Sequence, residues 1–320
     1  VGTMGADAAL AGMDGQQLGG LLGAMEAGQI SEAFTDQGLT DVAGKMTGED
    51  ASALDGDSAA AMLEAVITVM EPGEVGNKGS AVDAGMVAGM LGSMDANQVQ
   101  NAITPEFSAD LAGNMAPADV ALLDSDSAAA MMGSMGAETA VAAMDQDSLA
   151  SMIGVMDAET ISQALDGEAA GAIAGALTGD NLESLGADQA AGMANAMDAA
   201  QISDLTSDQA NGIATAIADD PTQMTEMESG SVAAMAATLD AEDLGVLGSE
   251  MVGTMVASMD SDQVQDMSPE HLAEALDTVG ADYMGSGASG FDEVEATETF
   301  MSEAEVEAVS YTHLTLPTKA

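Results

Sequence analysis

The fold is decided by a repeated stretch that reads DQDSLASMIGVMDAETISQAL at residues 145–165 and DGEAAGAIAGALTGDNLESL at residues 166–185. Each copy opens on an acidic residue, continues through an Ala- and Gly-rich segment, and closes on a second, shorter segment. The same frame extends in both directions, which predicts thirteen units of about 20 to 22 residues. These units open at residues 14, 35, 55, 83, 104, 124, 145, 166, 186, 206, 228, 248 and 268.

Two positions of each unit are apolar, counting the opening residue as zero. A spacing of four places both on one face of a helix. Position seven holds Leu21, Val42, Met62, Met90, Leu111, Met131, Met152, Ile173, Met193, Ile213, Met235 and Met255, with Leu276 one residue late in the last unit. Position eleven holds Met25, Met46, Val66, Met94, Met115, Met135, Met156, Leu177, Met197, Ile217, Leu239, Met259 and Val279. Further apolar residues near position sixteen and at the unit end predict a second, shorter helix.

Prolines and capping residues support the same phase. Pro105, Pro117 and Pro269 fall where a first helical turn is predicted, and proline is favoured there because its missing N–H is not needed. Asp, Ser or Thr just before such points would serve as N-caps. These predicted caps are Thr104, Asp124, Asp145, Asp157, Asp198 and Ser268.

Short helices of this kind cannot bury their apolar stripes alone, so neighbouring units must stack. Ala dominates and β-branched residues are sparse, which disfavours a β-solenoid. We therefore predict an all-α fold, an α-solenoid (superhelix) of about thirteen units, each one helix plus a short helical turn. The Gly and Ala residues between the methionines would let these helices approach closely.

The predicted organisation has four parts. Residues 1–13 are a partial repeat, 14–289 the repeat array, and 290–308 an acidic helical segment or linker to a further domain. Residues 309–318 read VSYTHLTLPT, the translation of a sequencing-library adapter, so 309–320 is predicted to be a non-native tail. Because the chain starts at Val1, we expect an internal piece of a longer gene.

The charge balance excludes several classes of function. The chain has 55 acidic residues against three lysines and no arginine, for a net charge of −52. Such a chain is repelled by nucleic acid and by anionic membranes, and no apolar run is long enough to span a bilayer. With no Cys, and with His271 as the one histidine outside the tail, we predict no catalysis.

Methionine and the acidic residues are the two remaining candidates for chemistry. Fifteen of the 27 methionines occupy positions seven and eleven, which favours core packing over copper or haem ligation. The acids recur at positions zero and two, so stacking would align them into a carboxylate ladder. Two interpretations stay open: the acids cap helices, or they bind Ca²⁺ or Mg²⁺ without any required cofactor. The candidate metal ligands are Asp124, Asp126, Asp145, Asp147, Asp166, Glu168 and Asp188.

Two family resemblances follow from these segments. MDAETISQALDGEAAGAIAGAL (156–177) is similar to the superhelical N-domain repeats of MgtE-type magnesium channels, which would imply a role in magnesium sensing. MDANQVQNAI (94–103) resembles the acidic short helical repeats of large bacterial surface proteins. The second resemblance fits the long array and low basic content better, and it favours an extracellular or cell-envelope location.

Two functions are therefore expected. The first is a structural or protein-interaction scaffold, with an unknown and basic protein partner, no nucleic acid and no membrane insertion. The alternative is a divalent-cation-responsive module that uses the carboxylate ladder. A third and weaker hypothesis is a mimic of nucleic-acid charge that binds basic proteins.

Overall fold

The computed structural model describes residues 12–69 and 82–285, with the backbone alone described at 281–285. All regular structure in these residues is helical, which confirms the all-α class. Within them, no helix is both long and apolar enough to cross a membrane. The predicted segments 290–308 and 309–320, and residues 1–11 of the first segment, lie outside the described residues.

Longer and shorter helices alternate within each of the two described stretches of the chain. The longer helices are α1 (Gly15–Leu22), α3 (Asp36–Ala43), α5 (Gly56–Val69), α6 (Ala84–Leu91), α8 (Pro105–Ala112), α10 (Ser125–Met135), α12 (Gln146–Val155), α14 (Gly167–Ala176), α16 (Ala187–Ala196), α18 (Ser207–Ala218), α19 (Ser229–Thr238), α21 (Ser249–Ser258) and α23 (Pro269–Gly285). The shorter ones are α2 (Ala27–Ala33), α4 (Gly48–Ala51), α7 (Ala96–Ala102), α9 (Pro117–Val120), α11 (Ala137–Ala143), α13 (Ala158–Ala164), α15 (Gly179–Glu183), α17 (Ala199–Ser203), a 3₁₀ helix (Pro221–Glu226), α20 (Ala241–Leu247) and α22 (Ser261–Asp266). Each longer helix begins one residue after a predicted opening.

The helices begin where side chains satisfy their first N–H groups. Asp124 Oδ1 accepts from Ser127 N at 2.7 Å, and Asp157 Oδ1 accepts from Thr160 N at 2.8 Å. All six predicted N-caps make such bonds, and the three prolines each occupy a first helical turn, so these predictions are confirmed. Gly136 and Gly248 have positive φ and form the single-residue connections from α10 to α11 and from α20 to α21.

Within each of the two described stretches, 12–69 and 82–285, packing joins each helix to the third one along the chain. Thus α9 packs against α12, α11 against α14, α13 against α16, and α15 against α18. The same relation holds when a longer helix comes first, as for α10 with α13 and α12 with α15. A longer helix therefore packs on a shorter helix across this interface.

The predicted apolar stripe forms the core. Fourteen of the fifteen methionines at positions seven and eleven are buried, and Met25 is half-buried against the core. Three predicted core residues are instead exposed: Leu21 by 38%, Leu276 by 43% and Val279 by 38%. They lie in the first and last described helices. Each of these helices packs against described helices from only one direction along the chain, so part of its apolar face is uncovered. In α1 the buried face is shifted to Leu18 and Leu22.

Glycine permits the closest helix contacts, as the sequence predicted. A Cβ atom at Gly212 in α18 would overlap the carbonyl oxygen of Gly179, the first residue of α15. A Cβ atom at Gly89 in α6 would likewise overlap the carbonyl oxygen of Gly48 in α4. Both contacts are backbone against backbone, so no side-chain rotation could make room for a methyl group.

Candidate functional site

The seven predicted cation ligands all have exposed side chains, and three of them are helix caps. Asp124, Asp145 and Asp166, the opening residues of their units, each accept a hydrogen bond from the N–H three residues later. The oxygen–nitrogen distances are 2.7, 2.9 and 2.9 Å, respectively. These carboxylates therefore satisfy N–H groups that would otherwise lack an intrahelical partner.

The acids at position two lie in first helical turns and contact the next unit. Asp147 Oδ1 accepts from Asn181 Nδ2 at 3.0 Å, and Asp188 Oδ1 accepts from Gln223 Nε2 at 2.8 Å. Asp126 and Glu168 occupy the first turns of α10 and α14, where a negative charge is favoured by the helix dipole. Position two is thus a site of contact between units as well as a charge near the helix N-terminus.

The Gln98 and Asn181 side chains, which donate to position-two carboxylates, also accept hydrogen bonds at the N-terminus of their own helix. Gln98, at the start of α7, accepts from Asp95 N through Oε1 at 2.9 Å and donates through Nε2 to Asp57 at 2.7 Å. Asn181 repeats the arrangement in α15, where its Oδ1 accepts from the Thr178 hydroxyl at 2.7 Å. One side chain therefore closes the N-terminus of a shorter helix and links it to the preceding unit.

The capping interpretation has direct support at three of the seven acids, Asp124, Asp145 and Asp166. In the part of the chain that the structure describes, no group of three or more His, Asp or Glu side chains is arranged to hold a metal ion. Binding of Ca²⁺ or Mg²⁺ by Asp124, Asp126, Asp145, Asp147, Asp166, Glu168 and Asp188 stays a prediction.

Buried hydrogen-bond donors at position three are a feature that the sequence analysis missed. Ser148 Oγ donates to the Met115 carbonyl at 3.0 Å, and Ser127 Oγ donates to the Leu91 carbonyl at 2.8 Å and the Met94 carbonyl at 3.2 Å. Both serines are fully buried. The same link is made by Ser58 to Met25, Gln189 to Met156, and Gln209 to Leu177.

Each of these donors reaches a carbonyl at or just beyond the end of a longer helix two units earlier. The last carbonyls of a helix have no intrahelical partner, so a donor supplied from outside satisfies them. The sequence signal was present, since position three holds Ser or Gln in several units. It was overlooked because the acceptor is a backbone atom about 33 residues away, which side-chain periodicity does not report.

Three aspartates have a pKa below the ordinary value, and each shift has a hydrogen-bond cause. The Ser58 hydroxyl, followed by the Ser58 backbone N–H, lowers the pKa of Asp55. The backbone N–H of Thr160, followed by its side chain, lowers the pKa of Asp157. The Thr222 hydroxyl lowers the pKa of Asp220. In all three cases the donors stabilise the ionised carboxylate.

His271 lies at the start of α23 and borders a depression of about 340 Å³. Its backbone N–H donates to the Ser268 cap at 3.1 Å. Asp240, Glu242, Asp243 and Glu270 line the same depression. The His271 side chain is half-buried.

Comparison with known protein-family profiles and with curated proteins gives no match for this chain.

Proposed function

We propose that this chain is a structural or protein-interaction repeat scaffold, built as an α-solenoid of thirteen units in which three successive helices complete one turn. The observation that carries the proposal is the packing of each helix on the third helix along the chain, within residues 12–69 and within residues 82–285. In a solenoid, each turn contacts the turns before and after it. Three helices per turn correspond to one and a half predicted units.

The polar contacts support the same arrangement. Ser148 to Met115, Gln189 to Met156 and Asn181 to Asp147 join residues 33, 33 and 34 positions apart, close to the length of three helices. Nearest-neighbour links of this kind are what a repeat array requires, because its stability is a sum over units and their interfaces.

As a scaffold, the chain would present an acidic surface to a basic protein partner. The acids recur at the N-termini of both helix types, and the net charge of −52 would steer positively charged partners toward the array. The resemblance to repeats of bacterial surface proteins supports an extracellular or cell-envelope location for this scaffold. The function proposed requires no catalytic group and no cofactor.

A distance measurement along the array tests the proposal. The chain has no Cys, so a Gly20→Cys and Ala257→Cys double variant can be labelled at two exposed positions for energy transfer. These residues lie eleven predicted units apart, or about seven turns, and turns spaced by about 9 Å give a separation of about 65 Å. A compact globule of this length has a radius of gyration of about 20 Å, which would hold the labels within about 50 Å. A distance below that value would overturn the solenoid.

A further inference from the structure

A groove of about 650 Å³ runs between α2, α5 and α7. Its floor is made of small or apolar side chains of α5, including Ala60, Ala61 and Ile67. Asp57 and Glu64 of α5 and Gln98 of α7 also line the groove, and Gln98 contacts Asp57 directly. The groove is therefore an open channel with an apolar floor and two carboxylates beside it.

The two carboxylates have a defined spacing. Asp57 and Glu64 are seven residues apart on one helix, which places them on the same face and about 10.5 Å apart along its axis. The alanines between them have no side chain long enough to divide the groove. Asp57 accepts one hydrogen bond from Gln98 at 2.7 Å, and an ionised carboxylate can accept several more.

We propose that this groove binds a segment of a partner protein in the polyproline II conformation, with two Lys or Arg side chains three residues apart. That helix has three residues per turn and rises about 3.1 Å per residue, so such side chains lie on one side and about 9.3 Å apart. This spacing matches the separation of Asp57 and Glu64, while the alanine floor accommodates the segment between the two basic residues. The segment is basic because Lys or Arg side chains complement the negative charges of Asp57 and Glu64. The proposal rests on the proposed scaffold function.

The test uses the full chain and two labelled peptides of equal composition. The first, Ala-Pro-Lys-Pro-Pro-Lys-Pro-Ala, carries lysines three residues apart, and the second, Ala-Pro-Pro-Lys-Lys-Pro-Pro-Ala, carries them side by side. Fluorescence anisotropy is measured at a salt concentration of about 0.15 M, where the Debye length of about 8 Å suppresses the attraction of distant acids. The first peptide is expected to bind about fivefold more tightly than the second.

Two double variants of equal charge locate the binding. Asp57→Asn with Glu64→Gln should weaken binding of the first peptide about tenfold, and asparagine still accepts from Gln98. The control is Glu138→Gln with Glu159→Gln, exposed residues in the first turns of α11 and α13, and it should weaken binding less than about twofold. Far-UV circular dichroism confirms that both variants remain folded.

The outcomes separate this proposal from the scaffold function. Equal affinity for the two peptides, or equal losses in the two double variants, would show diffuse attraction and overturn the groove while leaving a basic partner in place. No binding of either peptide would also overturn the groove, while the distance measurement along the array tests the scaffold separately. Sedimentation that shows a dimer abolished by the Asp57 and Glu64 changes would mean that a second copy of the chain occupies the groove, which also overturns the proposal.

Discussion

Replacing Gly212 by alanine should destabilise the protein, although alanine is the better helix former. The new Cβ would overlap the carbonyl oxygen of Gly179, and both partners are backbone. Relief requires α18 to move away from α15, and overpacking of this kind costs about 1–3 kcal/mol. The overlapping atoms are backbone and cannot rotate away, so the cost should lie in the upper part of that range, at about 2–3 kcal/mol. Because helix propensity returns about 1 kcal/mol, the net loss should be about 1–2 kcal/mol.

Gly133→Ala is the matched control because the same substitution at this position should raise the stability of the protein instead of lowering it. Gly133 lies within α10, and a Cβ atom at that position would meet nothing within 4 Å. The variant should be about 0.5–1 kcal/mol more stable than the parent. Urea unfolding of both variants, followed by far-UV circular dichroism, measures the two changes. Two changes of the same sign would refute the close approach of α18 and α15.

Three further predictions concern the hydrogen-bond and charge patterns. Ser148→Ala leaves the Met115 carbonyl without the Ser148 donor and should lower the free energy of unfolding in urea by about 1–2 kcal/mol. The control Ser151→Ala loses only a bond to Asp147 within its own helix and should change that free energy by less than about 0.5 kcal/mol. Equal losses would show that the link between units does not stabilise the fold. The lowered pKa of Asp157 makes its contribution to stability present above the unfolded-state pKa of about 3.9 and lost as the pH falls through the folded-state pKa. Asp157→Asn keeps an accepting oxygen but does not titrate, so the stability of the parent relative to this variant should fall between about pH 5 and pH 2, and a flat difference would contradict the shift. If the acids act as caps, CaCl₂, MgCl₂ and NaCl should raise the melting temperature equally at matched ionic strength. A rise caused only by the divalent ions, below about 1 mM, would instead support the predicted cation site. That rise should then be lost when Asp147 and Asp188 are replaced by asparagine.

Local structure was the part that the sequence could predict. The phase of the longer helices followed from apolar residues four positions apart and from Pro105 and Pro269 at first turns, because these signals act within one helix. Exposure of Leu276 and Val279 was not predicted, since it depends on which neighbours surround the last described helix. Packing of longer helices on shorter ones was not predicted either, because periodicity gives the apolar face of a helix but not the helix that covers it.

At the candidate site, too, the contacts between residues close in sequence could be predicted, and those between distant residues could not. Capping by Asp124, Asp145 and Asp166 could be predicted because the acceptor and the donor are three residues apart. The link from Asn181 to Asp147 spans 34 residues and depends on the relative position of two helices. Contacts of that kind require the three-dimensional arrangement, even when the residue types involved are regular in the sequence.

The distribution of donors explains how a chain without arginine can stabilise so many helices. Helix C-termini commonly attract Lys or Arg, yet every described helix lacks a basic residue in its last turn. Neutral donors take that place where Ser127, Ser148 and Gln209 bond to carbonyl groups just beyond helix ends two units earlier. Asp, Thr and Ser side chains meanwhile accept hydrogen bonds from N–H groups at many of the helix N-termini. Both ends of many helices are thereby stabilised without positive charge, so the surface can remain strongly acidic, as the proposed basic partner would require.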